Sequence, residues 1–254
     1  MKYGKFIAAG SLGTLLILGT ACSGNKTAER SPVASSGDGK GTAPAADVAK
    51  KADVALVRFV NATPSSKDLA FGDTTPFSNV GARNITEYKS LPAERHDLKL
   101  ITNGASGQAM ATNSEGLTAG KHYTVLAVTE KDGTFTLDPI TDDLTPPAPG
   151  KAKVRVINLA PTVKNLDLYT STKKDALISG AGLDHPTDYK EIVPSEGTLN
   201  IRNTMSKKDG ETVKDLKLEA GKLYTILVFG DTGGKLKVKT VEDVFTEAPN
   251  GAKS

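Results

Sequence analysis

The chain has 254 residues, with 32 Lys and Arg against 29 Asp and Glu, and it contains one cysteine and no tryptophan. This length accommodates one or two domains, and no apolar stretch reaches the roughly 18 residues that a membrane-spanning helix needs. The near balance of charge lacks the basic surface of nucleic-acid-binding proteins, so we expect no nucleic-acid partner. A single cysteine excludes an intramolecular disulfide, a cysteine zinc cluster and a Cys-x-x-Cys redox pair.

The first 21 residues have the three parts of an export signal. Lys2 and Lys5 make the start basic, residues 6–18 form a short apolar core, and small side chains precede the expected cleavage after Ala21. The core is too short to cross a bilayer as a stable helix. We therefore predict a signal peptide at residues 1–21.

Cys22 follows directly, and the stretch from Leu18 to Cys22 resembles the bacterial lipobox. A lipobox cysteine carries diacylglycerol on its sulfur and becomes the mature N-terminus, and several acyl chains such as palmitate on one residue anchor a protein lastingly. Gly19 departs from the leucine that the usual box has three places before the cysteine. With Ser23 rather than Asp next, the resemblance implies an exported protein anchored to the cell membrane, the outer one if the organism has two. The alternative is a plain signal that leaves Cys22 as a free thiol.

Residues 22–52 are almost free of bulky apolar side chains. Such a segment buries too little surface to offset the entropy of ordering it. As a random coil, about 30 residues would span roughly 30 Å. We predict a lipidated cysteine followed by a flexible tether that holds the folded part away from the bilayer.

The remainder of the chain repeats itself at a spacing of 97 to 102 residues. Residues 117–128 and 218–229 are identical at seven of twelve positions. Other equivalent pairs are Arg58 and Arg155, Asn61 and Asn158, Pro64 and Pro161, Leu69 and Leu166, and Tyr88 and Tyr189. Because the period is far longer than in solenoids or propellers, each copy is expected to be a whole domain.

These matches place repeat 1 at residues 53–145 and repeat 2 at residues 151–247, followed by a disordered tail at residues 248–254. Three prolines in residues 145–150 predict an extended and fairly stiff linker between the repeats, which we place at residues 146–150.

Short runs of β-branched and aromatic residues predict strands in both repeats. The clearest are residues 54–60, 123–128, 154–157 and 224–229, and clusters of Gly, Asn, Asp and Pro separate them. About seven short strands in about 95 residues fit a β-sandwich. The predicted fold class is therefore all-β, with two tandem immunoglobulin-like β-sandwich domains.

The repeated block Leu-x-Ala-Gly-Lys-x-Tyr-Thr sharpens this prediction. In immunoglobulin-like sandwiches, a tyrosine near the start of one strand bonds back to the preceding corner. Tyr123 and Tyr224 are the candidates for this tyrosine corner. The most repeated motif of the chain is thus interpreted as part of the fold rather than as a binding site.

The Val-Arg-x-x-Asn-x-x-Pro opening, the Leu-Asp-Leu-Tyr strand at residues 166–169 and the Ala-Gly-Lys-x-Tyr-Thr block resemble the bacterial family called domain of unknown function 4397. The resemblance covers both repeats and implies exported proteins that are often tandem and often lipid-anchored. Repeat 1 departs from the pattern in its second strand, where residues 68–71 read Asp-Leu-Ala-Phe. The resemblance implies no catalytic residues, because the family has none assigned.

Arg58 and Arg155 lie inside predicted strands, each followed three residues later by Asn61 or Asn158. One interpretation places each arginine on the outer face of its strand, flanked by core-facing apolar residues. The other places Arg and Asn at a strand end, where both repeats present a candidate polar contact to a ligand. The residues alone favour the first.

No constellation of chemically active residues stands out. The histidines, His96, His122 and His185, have no recognisable metal-ligand spacing, and no nucleophile elbow or phosphate-binding loop is present. We therefore predict no catalytic residue, no metal site and no cofactor. Whether Asp138, Asp142 and Asp143 bind calcium stays open at this point, with a solvated turn favoured.

These observations lead to an expected function. We expect a non-enzymatic cell-envelope lipoprotein that serves as a binding or scaffold module, with the membrane as partner through its anchor and an envelope protein or glycan as candidate ligand. The alternative is an envelope hydrolase or transferase with an unrecognised site between the domains. A third hypothesis is a purely structural spacer.

Overall fold

The computed structural model describes residues 53–102, 108–170, 174–204, 209–230 and 235–245, all within one compact unit. The predicted signal peptide, the cleavage site at Ala21, the lipidated Cys22, the tether and the C-terminal tail lie outside the described residues.

Strands make up the regular structure of both repeats, as their β-branched runs predict. Repeat 1 contributes β1 (Val54–Asn61), β2 (Lys67–Phe71), β3 (Thr74–Val80), β4 (Asn84–Ile85), β5 (Lys89–Pro92), β6 (Arg95–Thr102), β7 (Ala111–Gly116), β8 (His122–Thr129) and β9 (Phe135–Asp142). Repeat 2 contributes β10 (Ala152–Leu159), β11 (Asn165–Thr170), β12 (Ile178–Gly182), β13 (Lys190–Ile192), β14 (Ser195–Asn203), β15 (Asp209–Leu218), β16 (Leu223–Gly230) and β17 (Leu236–Asp243). In the described ranges, no helix has the length and apolar character needed to cross a membrane.

Repeat 1 folds into two facing sheets. One has the order β4–β1–β8–β9, with β5 also paired to β1, and the other has the order β3–β2–β6–β7. Alternate side chains of the first sheet, including Phe59 and Val125, pack against Leu69, Leu98 and Leu100 of the second. The result is a sandwich with a continuous apolar core.

Repeat 2 has the same plan. Its sheets have the orders β13–β10–β16–β17 and β12–β11–β14–β15. Val156, Ile226 and Val228 of the first sheet pack against Leu168 and Ile201 of the second. The all-β, sandwich-like prediction is confirmed, while the immunoglobulin-type connectivity stays a prediction. Within the first sheet of each repeat, β1 pairs in parallel with β8, and β10 pairs in parallel with β16.

The first sheets of the two repeats also pack against each other. Their second faces meet in a third apolar cluster, which we call the seam. The buried members of the seam are Val60, Leu126, Val128, Ile157, Leu159, Leu227 and Phe229. Burial on both faces explains why these strands read as nearly continuous apolar runs instead of alternating with polar residues.

The tyrosine hydroxyls of the repeated block bond to the turns that precede their strands. The Tyr123 hydroxyl accepts a hydrogen bond from the backbone N–H of Thr118 at 3.0 Å, and the Tyr224 hydroxyl accepts one from the N–H of Glu219 at 3.1 Å. Each bond ties the turn at Gly120 or Gly221, both of which have positive φ, to the strand that follows.

Candidate functional site: the polar cluster between the repeats

Two arginines lie in the middle of the seam. Arg58 on β1 lies beside Thr124 on β8, and Arg155 on β10 lies beside Thr225 on β16. Odd and even positions of a strand face opposite sides of its sheet, so both side chains leave the sandwich core and enter the space between the repeats. The arginines are only 2% and 3% exposed.

Each arginine meets a carboxylate of the other repeat. Arg155 donates a hydrogen bond from Nη2 to Oδ1 of Asp142 at 2.5 Å. Arg58 Nη1 lies 2.7 Å from Oδ1 of Asp243, close enough for an ion pair but without hydrogen-bond alignment. The two contacts are related by exchange of the repeats. The chain therefore carries a reciprocal pair of buried salt bridges.

Hydroxyl groups also donate hydrogen bonds to both carboxylates. Asp142 Oδ2 accepts hydrogen bonds from Thr124 at 2.6 Å and from Tyr88 at 2.7 Å. Asp243 Oδ2 accepts the equivalent bonds from Thr225 at 2.6 Å and from Tyr189 at 2.7 Å. We call these eight residues the paired cluster: Arg58, Tyr88, Thr124 and Asp142 with their equivalents Arg155, Tyr189, Thr225 and Asp243.

The arginines are held in place by their own repeat as well. Arg58 Nε donates to Thr124 Oγ1 at 2.8 Å, and its guanidinium lies 4.7 Å from the centre of the Tyr88 ring. Arg155 makes the same hydrogen bond at 2.8 Å and lies 4.6 Å from the Tyr189 ring. Stacking on an aromatic face and a fixed Nε bond orient the planar guanidinium toward the opposite repeat.

The electrostatics of the paired cluster favour the charged forms. Burial by itself opposes ionisation of Asp142, but Arg155, Arg58 and the hydroxyl donors outweigh it and hold the pKa of Asp142 below its usual value. Burial likewise opposes the charge on Arg58, yet Asp243 and the other acidic groups raise its pKa above the usual value. Burial and the neighbouring carboxylate raise the pKa of Tyr88 and of Tyr189. Both tyrosines therefore remain protonated hydrogen-bond donors.

The paired cluster joins the two repeats through ion pairs that are buried. A buried charge is costly unless it is paired and hydrogen-bonded, and removing one partner leaves the other uncompensated. Two arginines balance two aspartates, and the two tyrosines and two threonines donate to those aspartates. This arrangement fixes which face of one repeat meets the other, and in which orientation.

Both arginines lie on the faces of their strands that point away from the sandwich cores. The other repeat covers these outer faces, so the arginines are buried, and they lie within β1 and β10 rather than at a strand end. Their companions Asn61 and Asn158 are fully buried and close the loops after β1 and β10. Asn61 Nδ2 donates to the carbonyl of Ser65 at 2.9 Å, and Asn158 Nδ2 donates to that of Val163 at 2.9 Å.

The three aspartates considered for calcium have separate surroundings. Asp142 belongs to the paired cluster, whereas Asp143 Oδ1 accepts bonds from the backbone N–H and hydroxyl of Thr145 in an exposed turn. Asp138 is half-buried, and burial raises its pKa. No group of three His, Cys, Asp or Glu residues with metal-binding geometry occurs in the part of the chain that the structure describes.

The histidines are also separate. His96 bonds through Nε2 to the carbonyl of Pro92 at 2.9 Å and meets the Phe71 ring edge-on. His122 is buried against the Tyr88 ring at the rim of the paired cluster, and His185 is exposed in the loop after β12. The structure therefore does not bring the three together.

Two cavities lie at opposite ends of the seam. One has a volume of about 350 Å³ and is lined by both repeats, with Pro64 and Arg83 from repeat 1 and Leu159 and Pro161 from repeat 2. The other, of about 450 Å³, lies beside His122 and Asp142. We call the first the junction groove. Its prolines are the last residues of the repeated Asn-x-x-Pro segments, so the same motif closes the loop and lines the groove.

Most residues of the paired cluster are not predicted as site residues from the sequence. Tyr88 and Tyr189 stand out only as equivalent positions, and Thr124 and Thr225 only as members of the tyrosine block. One sequence feature could have indicated them: hydrogen-bonding residues recur at equivalent positions inside the apolar runs of both repeats. A charged or hydroxylated residue at such a position must find a partner when it is buried.

Comparisons with known proteins bear on part of the chain. The family model described as domain of unknown function (DUF4397) matches residues 55–169, which covers repeat 1 and the first part of repeat 2. This confirms the family resemblance over that span. Among solved structures, the chain is similar to the CS-Rosetta structures of the C-terminal domain of AlgF from P. aeruginosa, at 29% identity over 37% of this chain and 99% of that chain, with a TM-score of 0.31. No curated protein matches the chain.

Proposed function

We propose that this protein is a non-enzymatic, lipid-anchored module of the cell envelope that presents its two repeats to a partner as one rigid unit. The observation that carries the proposal is the paired cluster. It commits the arginine and the aspartate that are buried in both repeats to holding the repeats together, which is a structural task. A scaffold gains from such a lock because fixed geometry lowers the entropy lost on binding.

The junction groove is the place where we expect a partner to bind. It is lined by both repeats, its walls are mainly apolar, and Arg83, Glu130 and Lys131 supply polar groups at its edge. Binding sites are typically concave and mainly apolar with a few polar groups that orient the ligand. Because both repeats build the groove, a partner that binds there depends on the seam being closed.

Recovery of a partner from cells tests the binding role. The natural chain and a Pro64→Asp, Pro161→Asp variant would be crosslinked in cells and purified by a C-terminal tag. We expect an envelope protein or glycan to be recovered with the natural chain and at least tenfold less of it with the variant. Equal recovery with both chains, or recovery of no partner, would contradict the proposal.

The lipid anchor is tested separately. We expect a palmitate analogue to label the natural chain and a Cys22→Ser variant to remain unlabelled and to be released from the membrane fraction. Unchanged labelling of the variant would remove the anchor from the proposal without affecting the binding role.

One observation favours the enzymatic alternative. Asp184 lies near Glu130, Asp138 and His185 where the repeats meet, and burial together with those two acids raises its pKa to about 6. A carboxyl group with a pKa near neutrality is a common feature of acid–base catalysts. An envelope hydrolase or transferase of this kind predicts an activity in the soluble chain that disappears in Asp184→Asn and His185→Ala variants, although both variants remain folded with melting temperatures no lower than that of the natural chain.

A further inference from the structure

The two faces that meet in the seam are copies of one surface. Val60 and Leu126 of repeat 1 occupy the positions that Ile157 and Leu227 occupy in repeat 2, and all four are buried in the seam. At the centre, the arginine of each repeat meets the aspartate of the other. Such reciprocity is the property of an isologous interface, in which the same patch is used twice around a two-fold axis.

The same symmetry extends to the edges of the seam. The hydroxyl of Thr86 accepts a hydrogen bond from the N–H of Phe59, and the hydroxyl of Thr187 accepts the equivalent bond from Val156, both at 3.0 Å. These bonds hold the loops that carry Tyr88 and Tyr189 against β1 and β10. Each repeat therefore builds its face, including the orientation of the tyrosine, from its own residues.

We propose that this face is a self-matching docking surface whose partner is the same face of a second copy of the repeat. Within one chain, the second copy is the other repeat. A short linker gives the two faces an effective concentration in the millimolar range, so the intrachain pair forms first. The surface also fits repeats of another copy of this chain whenever the intrachain match is lost.

The partner is identified by charge. The centre of the face presents one buried cation and one buried anion, so it meets its copy with two attractive pairs and meets a face of reversed polarity with two repulsive ones. Reversing both charges in one repeat therefore spoils the match with the other repeat but preserves the match with itself.

A double variant of the full chain, Arg58→Asp with Asp142→Arg, tests this property. In one molecule the carboxylate introduced at position 58 faces Asp243, and the guanidinium introduced at position 142 faces Arg155. Two molecules, in contrast, can pair repeat 1 with repeat 1 and repeat 2 with repeat 2. We expect the mass measured by light scattering after size-exclusion chromatography to double relative to the natural chain. A variant that keeps the mass of the natural chain and its melting temperature would overturn the proposal.

The matched control reverses the charges in both repeats by adding Arg155→Asp and Asp243→Arg. All pairs across the seam are then attractive again with opposite polarity. We expect this fourfold variant to return to the mass of the natural chain. A doubled mass here as well would show that charge reversal causes association for another reason and would overturn the proposal.

A measurement without any charge substitution covers the case in which the double variant fails to fold. A protease site inserted between Pro147 and Ala148 would allow the folded chain to be cut into its two repeats. We expect the halves to remain associated, and native mass spectrometry after incubation to detect pairs of repeat 1 with itself and of repeat 2 with itself beside the mixed pair. The mixed pair should dominate, because Val128 and Phe229 differ in size at equivalent positions. Separation of the halves, or mixed pairs alone, would overturn the proposal.

Discussion

The two repeats have sandwiches with the same strand order, but their aspartates differ in how well they pair with the arginines in the seam. Asp142 of repeat 1 accepts an aligned hydrogen bond from Arg155, and Arg58 lies 4.0 Å away as a second cation. Asp243 of repeat 2 has an unaligned contact with Arg58, whose Nη2 lacks a hydrogen-bond partner. The two repeats therefore share an architecture, whereas the strength of each salt bridge depends on side-chain details that differ between them.

The largest expected effect on stability comes from two equivalent apolar side chains of the seam that differ in size. Phe229 and its equivalent Val128 are each 1% exposed. Truncating a buried phenylalanine leaves a cavity and costs about 3–5 kcal/mol, while removing the two methyl groups of a valine costs about 2 kcal/mol. We expect Phe229→Ala to lower the free energy of unfolding by about 2 kcal/mol more than Val128→Ala, as measured by urea denaturation.

The control for this pair is Val193→Ala, because Val193 is 63% exposed. Its substitution should change the free energy of unfolding by less than about 0.5 kcal/mol. Equal costs at positions 128 and 229 would mean that the two repeats contribute alike to the seam.

The carboxylates provide the second comparison. Removing the charge of a buried, paired aspartate costs about 3 kcal/mol, because its cation is left uncompensated. Asp142→Asn breaks an aligned bond from Arg155 and weakens the attraction to Arg58, whereas Asp243→Asn loses one unaligned contact. We therefore expect Asp142→Asn to be the more destabilising by about 1 kcal/mol, measured by the same denaturation experiment. A larger loss for Asp243→Asn would contradict the asymmetry described above.

The pH dependence of Asp142 follows from the direction of its pKa shift. A carboxyl group whose pKa is depressed in the folded state stabilises the fold fully above its unfolded pKa of about 4 and loses that contribution as the pH falls through the lower folded value. We expect the stability difference between the natural chain and Asp142→Asn to be constant from about pH 7 to about pH 5 and to shrink below about pH 4. A difference that persists unchanged at about pH 3 would mean that the charge of Asp142 does not stabilise the seam.

The sequence predicts the strands well, but it does not predict the paired cluster that joins the two repeats. The runs at 54–60 and 224–229 predict strands correctly because β-branched and aromatic residues are concentrated there. The same runs cannot show that two different surfaces cover the two faces of each sheet, since a buried strand reads alike whatever covers it. Arg58 is the one irregularity in its run that the sequence displays. Its partner Asp243 lies far along the chain in the other repeat, and only tertiary structure brings the two together.

The tyrosine corners are a region in which the two repeats make the same hydrogen bond, so they provide a comparison in which no difference is expected. Tyr123 and Tyr224 make the same bond to the preceding turn at 3.0 and 3.1 Å. Replacing either by Phe removes one hydrogen bond of about 1 kcal/mol and leaves the ring in the core. We expect Tyr123→Phe and Tyr224→Phe to lower the free energy of unfolding equally. Unequal losses would place part of the asymmetry in the sandwiches themselves.

The smallest predicted effect concerns Arg83 and Asp184, which occupy equivalent positions with φ of 55° and 62°. Arg83 donates from Nη2 to the carbonyl of Gly230 across the seam at 3.3 Å. Asp184 instead faces Glu130 of repeat 1, its buried Oδ1 has no hydrogen-bond partner, and burial with the acidic neighbours raises its pKa to about 6. Repeat 2 therefore carries an unfavourable charge where repeat 1 carries a favourable one.

Asp184→Asn tests that difference. We expect its pH dependence to be opposite to that of Asp142, because the folded-state pKa of Asp184 is raised and that of Asp142 is lowered. An acid with a raised folded pKa favours the fold below its unfolded pKa, and that contribution is lost as the pH rises through about 6. Asparagine removes the charge and tolerates positive φ. Because Asp184 is only half-buried, solvent screening keeps the gain small, and we expect a rise in melting temperature of about 2 °C at about pH 7.5 and none at about pH 4. Asp188→Asn, an exposed substitution in the same loop, should change neither value. A gain at both pH values would mean that the strained backbone at position 184, rather than the acidic neighbours, makes repeat 2 the weaker half.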